Sequence, residues 1–368
     1  MSVFRSRPAL RWLVPSAAAV VVIGGGAAAG TIVASADPSL PERSAAQLLV
    51  DVQGAKIDGL SGTIVESADL GLGALGNLAQ SSGDLTALLG GSNTARVWYA
   101  GETKARVALI GTQGETDVIR NGSDVYVWKS TEKTASHLTI PAGSESKHQQ
   151  LSELPSTPQE AAAAALAAID PTTTVSTTGA AKVAGRDAYE LVLSPKDTGS
   201  LIGQVRLAID AEKHIPLRVD VYAKNATSPA VRVAFQQISF AVPDDEQFVF
   251  KAPPGTKVNE GSAADIEKAH ADAVEKATTE KPQLATAGPT LIGKGWTTIV
   301  SAKLPKTDGS AESSQAAGLI GALPAVSGSW GKGNLFAGTL FSVLLTDDGR
   351  VFAGAVTPEK LYEAAAAK

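Results

Sequence analysis

Four stretches between residues 187 and 240 impose the strongest constraint on the fold. Asp187–Leu193, Gln204–Ile209, Leu217–Tyr222 and Val231–Phe240 each alternate apolar and polar residues with period two. One side reads Tyr189, Leu191, Leu193; Val205, Leu207, Ile209; Leu217, Val219, Val221; and Val231, Val233, Phe235. The other side carries Glu190, Arg206, Arg218, Asp220 and Arg232. Successive side chains of a strand point to opposite faces, so four such strands predict an antiparallel sheet with one aliphatic face and one solvated face.

A second group of strands precedes them. Arg96–Ala100, Lys104–Ile110, Thr116–Arg120 and Asp124–Lys129 are separated by Gly101, Gly114 and Asn121-Gly122. An Asn-Gly pair between alternating strands is a strong hairpin signal, since both residues tolerate positive φ. Leu60–Ser67 reads as a further strand. Pro41–Val52 reads as a helix with Leu48, Leu49 and Val52 on one side. Ser144–Ser156 is polar and loop-like. Thr157-Pro158-Gln159-Glu160 has the residues of a capping box and opens an Ala-rich helix running to Ile169.

An aliphatic sheet face needs a cover, and the helices available are light. Leu70–Leu89 has apolar residues at helical spacing but many glycines, which suits a loose helix pair or lid. A wide apolar face under a small cover predicts either a sheet curved on itself or a cavity. The expected lining is Val97, Tyr99, Val107, Leu109, Tyr189, Leu191, Leu193, Val205, Leu207, Leu217, Val219, Val233 and Phe235. The expected lid residues are Ala74 and its neighbours, Leu85, Leu88 and Leu89. Trp98-Tyr99 and Tyr126/Trp128 have the chemistry to stack on a sugar or line a lipid pocket; ordinary sheet packing is the plainer reading.

The first residues point to export. Arg5, Arg7 and Arg11 precede an uncharged Ala/Val/Gly-rich run from Ala17 to Ser35, and Ala34-Ser35-Ala36 fits a cleavage site. Residues 12–35 are also long enough to remain as a membrane anchor. Either way the remainder is expected outside the cytoplasm, in the periplasm or on the outer face of the cytoplasmic membrane. Setting aside the three arginines of residues 1–36 from 32 basic and 37 acidic side chains leaves a net charge of −8. That balance disfavours nucleic acid as a partner.

No reaction chemistry is legible. The chain has no cysteine, and His137, His148, His214 and His270 are not at metal-ligand spacing. No serine sits in a G-x-S-x-G elbow, and no phosphate-binding glycine loop is present. The expectation is a binding protein, not an enzyme, with no cofactor and no metal.

Three segments carry a family resemblance. They are Val183-Ala-Gly-Arg-Asp-Ala-Tyr-Glu-Leu-Val-Leu-Ser-Pro195; Val205–Asp210 with Ile215-Pro-Leu-Arg-Val219; and Phe248-Val-Phe-Lys-Ala-Pro-Pro-Gly-Thr-Lys-Val258. Their order and spacing resemble the LolA-like family of lipoprotein carriers and N-terminal domains of RseB/MucB-type envelope-stress regulators, over about residues 40–260. The resemblance implies an incomplete antiparallel β-barrel around a helical lid, with an apolar cavity for acyl chains. It transfers no ligand-contact residue, because the family varies widely. Locally, Gly185-Arg186 reads as a turn and Pro253-Pro254-Gly255 as the end of the sheet.

The expected organisation is therefore a signal or anchor over 1–36 and a lipid-binding half-barrel over 37–262. A helix (Ala263–Thr278) and linker follow over 263–290, and a small C-terminal α+β unit over 291–368. That unit shows a strand at Trp296–Leu304, a Ser/Ala/Gly-rich stretch at Ala311–Leu323, a hairpin around Asp347-Asp348-Gly349, and a helix over Pro358–Ala367. The partner is expected to be a lipid or acylated lipoprotein. The alternative is a regulator that senses lipid and binds a membrane anti-sigma factor.

Overall fold

The computed structural model describes residues 40–72, 91–111, 114–140, 171–262, 290–303, 321 and 323–367. The expected signal, the lid residues, the Ala-rich helix at 157–169 and the helix at 263–278 lie outside the described residues.

Two sheets account for most of the described chain. The larger has twelve strands: β1 (Gly59–Ala68), β2 (Gly91–Ala100), β3 (Lys104–Ile110), β4 (Glu115–Asn121), β5 (Asp124–Lys129), β6 (Thr134–Thr139), β7 (Thr173–Val183), β8 (Arg186–Pro195), β9 (Ile202–Asp210), β10 (Pro216–Ala223), β11 (Val231–Ser239) and β12 (Lys257–Ser262). Their spatial order is β12-β6-β5-β4-β3-β2-β1-β11-β10-β9-β8-β7. All pairs are antiparallel except β12 with β6. The sheet is open, with β12 and β7 at its edges, and β7 curls back into contact with β11. This is an incomplete barrel, as the family resemblance implied, and its curl is one of the two outcomes expected from the aliphatic face.

The turns follow backbone chemistry. Gly122 takes φ 64° in the Asn121–Asp124 hairpin. Ala184 and Gly185, at φ 50° and 78°, form the two-residue loop between β7 and β8. Two residues of positive φ match the twist of the flanking strands.

The helix α1 (Ala45–Gly54) begins later than the Pro41 start expected from sequence. Ser44 and Gln47 form its capping box: Ser44 Oγ accepts from Gln47 N at 3.3 Å, and Gln47 Oε1 accepts from Ser44 N at 2.9 Å. Leu48 of α1 is fully buried against Tyr189, Leu191 and Ile209. Burial of that side chain contributes about 1.5–3 kcal/mol.

Three strands of this sheet escaped the sequence reading. β6 and β7 carry short or hydroxyl-rich side chains without clear alternation. β12 lies beyond Pro253-Pro254-Gly255, which was expected to end the sheet. Instead the chain turns at Gly255 (φ 82°) and adds a parallel strand on β6. Residues 240–256 thus form a strap from the middle of the sheet to its edge. A short 3-10 turn, Asp245–Phe248, presses Phe248 against β3 and β4, leaving it 1% exposed.

The smaller sheet has six strands, β13 (Thr290–Ile292), β14 (Ile299–Lys303), β15 (Ala325–Gly328), β16 (Gly331–Ala337), β17 (Ser342–Thr346) and β18 (Arg350–Gly354), in the order β13-β14-β18-β17-β16-β15. The helix α2 (Pro358–Ala366) covers one side through Leu361, Ala364 and Ala365, which pack on Ile299, Leu344 and Phe352. The expected hairpin is present, with Gly349 at φ 82° in its turn.

The two sheets are joined by specific contacts. Leu201 N donates to Ala355 O at 2.9 Å and Thr357 N to Gly199 O at 3.0 Å, either side of a bridge between Ser200 and Val356. Trp296 Nε1 donates to Thr173 Oγ1 at 2.7 Å. Leu340, on the loop between β16 and β17, packs with Leu70 and Ala230.

Candidate functional site

Strand register places most of the expected lining residues on one face. Tyr189 pairs with Ile209, Leu191 with Leu207, and Leu193 with Val205. Leu207 pairs with Val219, and Val219 with Val233. Across β1 the same side continues through Ala95 opposite Leu109 and Val97 opposite Val107, with Tyr99 two residues on.

Two residues depart from this set. Leu217 lies where β10 bulges between Pro216 and Arg218, and it packs with Val183, Ala188 and Ala208. Ala188 and Ala208 belong to the charged side. Phe235 packs against that same cluster, next to the irregularity where β11 passes β1. An extra residue in one strand breaks the alternation, which a period-two pattern cannot reveal.

The aliphatic face is covered unevenly. α1 covers it over β8 and β9, and Leu340 with Phe341 covers its end near Val221 and Val231. Over β2 to β5 it stays half-buried at Val97, Tyr99, Val107 and Val127, and Val118 is 37% exposed. Two concavities among the described residues are open and polar. One lies between the end of α1 and the Glu212–His214 turn, the other on β1, β2 and β11.

A carboxylic acid interrupts the aliphatic face. Glu66 pairs across strands with Asn93 and Val233 and is 2% exposed. Burial pushes its pKa up, partly offset by a 2.7 Å hydrogen bond donated by Asn93 Nδ2.

The opposite face is not the solvated surface expected from sequence. Asp220 and Asp210 are fully buried and Glu190 is 9% exposed. Arg232 donates to both Asp220 oxygens, Nε at 2.6 Å and Nη2 at 3.0 Å. Arg218 bonds Glu190, and its Nε lies 3.0 Å from Asp220 Oδ2, off the line of a hydrogen bond. Arg206 lies 4.9 Å over the Tyr222 ring, with a buried Nε that has no hydrogen-bond partner. At the end of the ladder Arg186 grips Asp210, which also accepts from Glu212 N at 3.0 Å and Lys213 N at 2.7 Å. Burial works to raise the Asp210 pKa, but the Arg186 bond and the two backbone donors outweigh it and hold the carboxyl below its ordinary value. Alternation marked these residues as one face; the curl that buries them depends on long-range strand order.

A third polar feature fixes the strap. His137 on β6 points one ring nitrogen at each of two carboxylates, Nε2 to Asp124 at 2.8 Å and Nδ1 to Glu260 of β12 at 2.6 Å. Tyr126 stacks on the imidazole at 4.3 Å, and Phe250 of the strap stacks on Tyr126 at 4.8 Å. Only the imidazolium donates from both nitrogens. The Asp124 bond, helped by Glu260, raises the His137 pKa against an opposing effect of burial. The clamp is therefore fully formed below the unfolded value near 6.5 and is lost as pH rises through the higher folded value. His137→Gln is expected to cost about 1–2 kcal/mol at about pH 5.5 and clearly less at about pH 8.5. Equal losses in urea melts at the two pH values would refute the clamp.

The open antiparallel half-barrel, with one aliphatic face and a strap across the other, matches the incomplete barrel of the LolA-like fold. Residues 95–252 match the family model of the MucB/RseB N-terminal domain. That match takes in 158 of the 368 residues, so it is this segment that is similar to the MucB/RseB N-terminal domain. Among solved structures, the Pseudomonas aeruginosa MucA/MucB complex is similar at 14% identity, covering 87% of this chain and 96% of that chain with a TM-score of 0.39. An uncharacterized conserved protein from Thermus thermophilus is similar at 11% identity, covering 58% and 98%, with a TM-score of 0.33. A LolA superfamily protein from Nitrosomonas europaea is similar at 10% identity, covering 57% and 99%, with a TM-score of 0.19. No curated protein sequence matches the chain.

Proposed function

We propose that this is an extracytoplasmic binding protein for a lipid or the acyl chains of a lipoprotein. The observation that carries the reading is the aliphatic face over β2 to β5, where Val97, Tyr99, Val107, Val118 and Val127 remain incompletely covered. Hydrocarbon laid on that face would gain about 0.8 kcal/mol per buried CH₂. Apart from Leu217 and Phe235, the remaining expected lining residues lie on the same face of the sheet and would serve as its walls. The uncharged run over residues 17–35, preceded by arginines, supports delivery across the cytoplasmic membrane and leaves a tether open. The half-barrel would span residues 37–262 and the C-terminal unit 291–368.

The test is a lipid extract of purified protein read by mass spectrometry, together with titration of a fluorescent acyl probe. Val107→Asp should weaken probe binding at least tenfold with little change in melting temperature, because Val107 is not in the buried core. A protein that elutes empty and takes up no probe would end the carrier reading.

A second reading is favoured by the C-terminal unit, which packs on the aliphatic face through Leu340 and Phe341. In an RseB-like regulator, a lipid on that face would be sensed by the unit and relayed to a membrane anti-sigma factor. Pull-downs from membranes with and without residues 286–368 separate the readings. An unchanged set of partners speaks against the regulator.

A further inference from the structure

The charged face has one open segment. The strap covers β3 and β4 through Phe248, and the curl brings β7 round toward β11. Between them lie β2, β1 and β11, and their register builds a grid on this face. Trp98, Ser61 and Ser239 form one row; Arg96, Thr63 and Gln237 form the next. The same six residues line an open concavity.

The shape follows from the side chains. β1 contributes only Ser61 and Thr63, so the centre of each row is low. Trp98 and Arg96 rise on the β2 side, and Gln237 rises on the β11 side. Neighbouring strands are about 4.8 Å apart, so the trough is about 10 Å across, wide enough for one pyranose ring.

The chemistry is specific. Arg96 is exposed and makes no ion pair among the described residues, whereas its neighbours on either side are paired, Arg106 with Asp117 and Arg232 with Asp220. Arg106 lies 5.1 Å over the Trp98 ring and belongs to β3, on the far side of β2 from the trough. The indole therefore keeps a flank toward β1. Two serines, a threonine and a glutamine supply the donors and acceptors that sugar hydroxyls use. A free guanidinium suits a carboxylate or phosphate, and an indole flank suits the C–H face of a sugar.

We propose that the β2–β1–β11 trough binds a saccharide unit carrying one anionic group, with Arg96 on the anion and Trp98 against the ring. The site is on the opposite face from the proposed lipid surface and does not depend on it.

Ligand-observed NMR and calorimetry on the full chain test the proposal with four probes: glucuronate, glucose 6-phosphate, glucose and inorganic phosphate. Glucuronate or glucose 6-phosphate should bind at least tenfold more tightly than glucose and than phosphate, and the better of the two identifies the anion. Arg96→Gln should raise that Kd at least tenfold with an unchanged melting temperature, because Arg96 is exposed. Ser61→Leu fills the trough floor without touching the charge and should also weaken the sugar acid. Phosphate binding as tightly as the sugar acids would reduce the trough to a plain anion spot and overturn the proposal. So would glucose binding equally, no binding of any probe, or an Arg96→Gln protein that binds as before.

Discussion

Replacing Asp220 by alanine is expected to destabilise the protein by about 3–5 kcal/mol, because removing one member of a buried ion pair strands its partners. Asp220 has no exposed surface, and both its oxygens are engaged by Arg232, with Arg218 Nε also 3.0 Å away. The two guanidiniums are largely shielded, with side chains 34% and 18% exposed. Without the carboxylate they would face one another across neighbouring strands, with Glu190 left to pair Arg218 alone. The expected loss is the cost of truncation and not a measure of what the ladder contributes to folding. Asp220→Asn, which retains the shape but not the charge, should lose less. Urea denaturation of the three proteins at neutral pH decides the matter: a loss below about 1 kcal/mol for the alanine variant would mean that water or rearranged side chains satisfy the arginines.

Truncating Phe248 to alanine is expected to cost a similar amount, about 3–5 kcal/mol, from lost apolar burial and the cavity left behind. The effect should also be regional. Phe248 is the anchor of the strap, supported by Arg106 Nη1 donating to Gln247 O at 3.3 Å and Lys104 Nζ to Asp245 at 2.7 Å. Beyond it β12 holds the sheet edge through parallel pairing with β6 and the His137–Glu260 contact. Release of the strap should therefore speed amide exchange in β6 far more than in β8, which is four strands beyond β1 on the other side. Exchange that rises equally in both strands would place Phe248 in the global core and not in the strap alone.

How much of this was legible in the sequence varies by element. The strands β8 to β11 were plain, because one face of each is aliphatic and period two survives any register. The glycine turns were also plain, since their signals are local along the chain; the helix α1 was legible too, but its start was placed at Pro41 and its Ser44–Gln47 capping box was not read. β6, β7 and β12 were missed for a physical reason. Edge strands with few apolar residues, or strands placed by a crossover, are stabilised by partners far away in the chain. Pro253-Pro254-Gly255 signals a stop locally, yet the chain beyond it is recaptured by β6.

Two of the expected lining residues leave the shared aliphatic face, and the departures have one cause. Leu217 and Phe235 follow the alternation in sequence but sit beside irregularities in the ladder, where an added residue changes which side a chain faces. The charged side was misread for a different reason. Glu190, Asp220 and Arg232 look solvated in a flat sheet, and they become a buried ladder because the sheet curls and brings β7 back toward β11.

The sequence by itself determined the alternation, the turns, the composition of each face and the absence of a nucleophile–base pattern, because each depends on neighbours along the chain. Only the tertiary structure decided which faces are buried, where α1 and Leu340 cap the aliphatic side, and that His137 meets Glu260 across 123 residues. It also put Arg96, Ser61 and Gln237 into one trough. Those facts depend on strand order and curvature, which arise from pairings between distant segments.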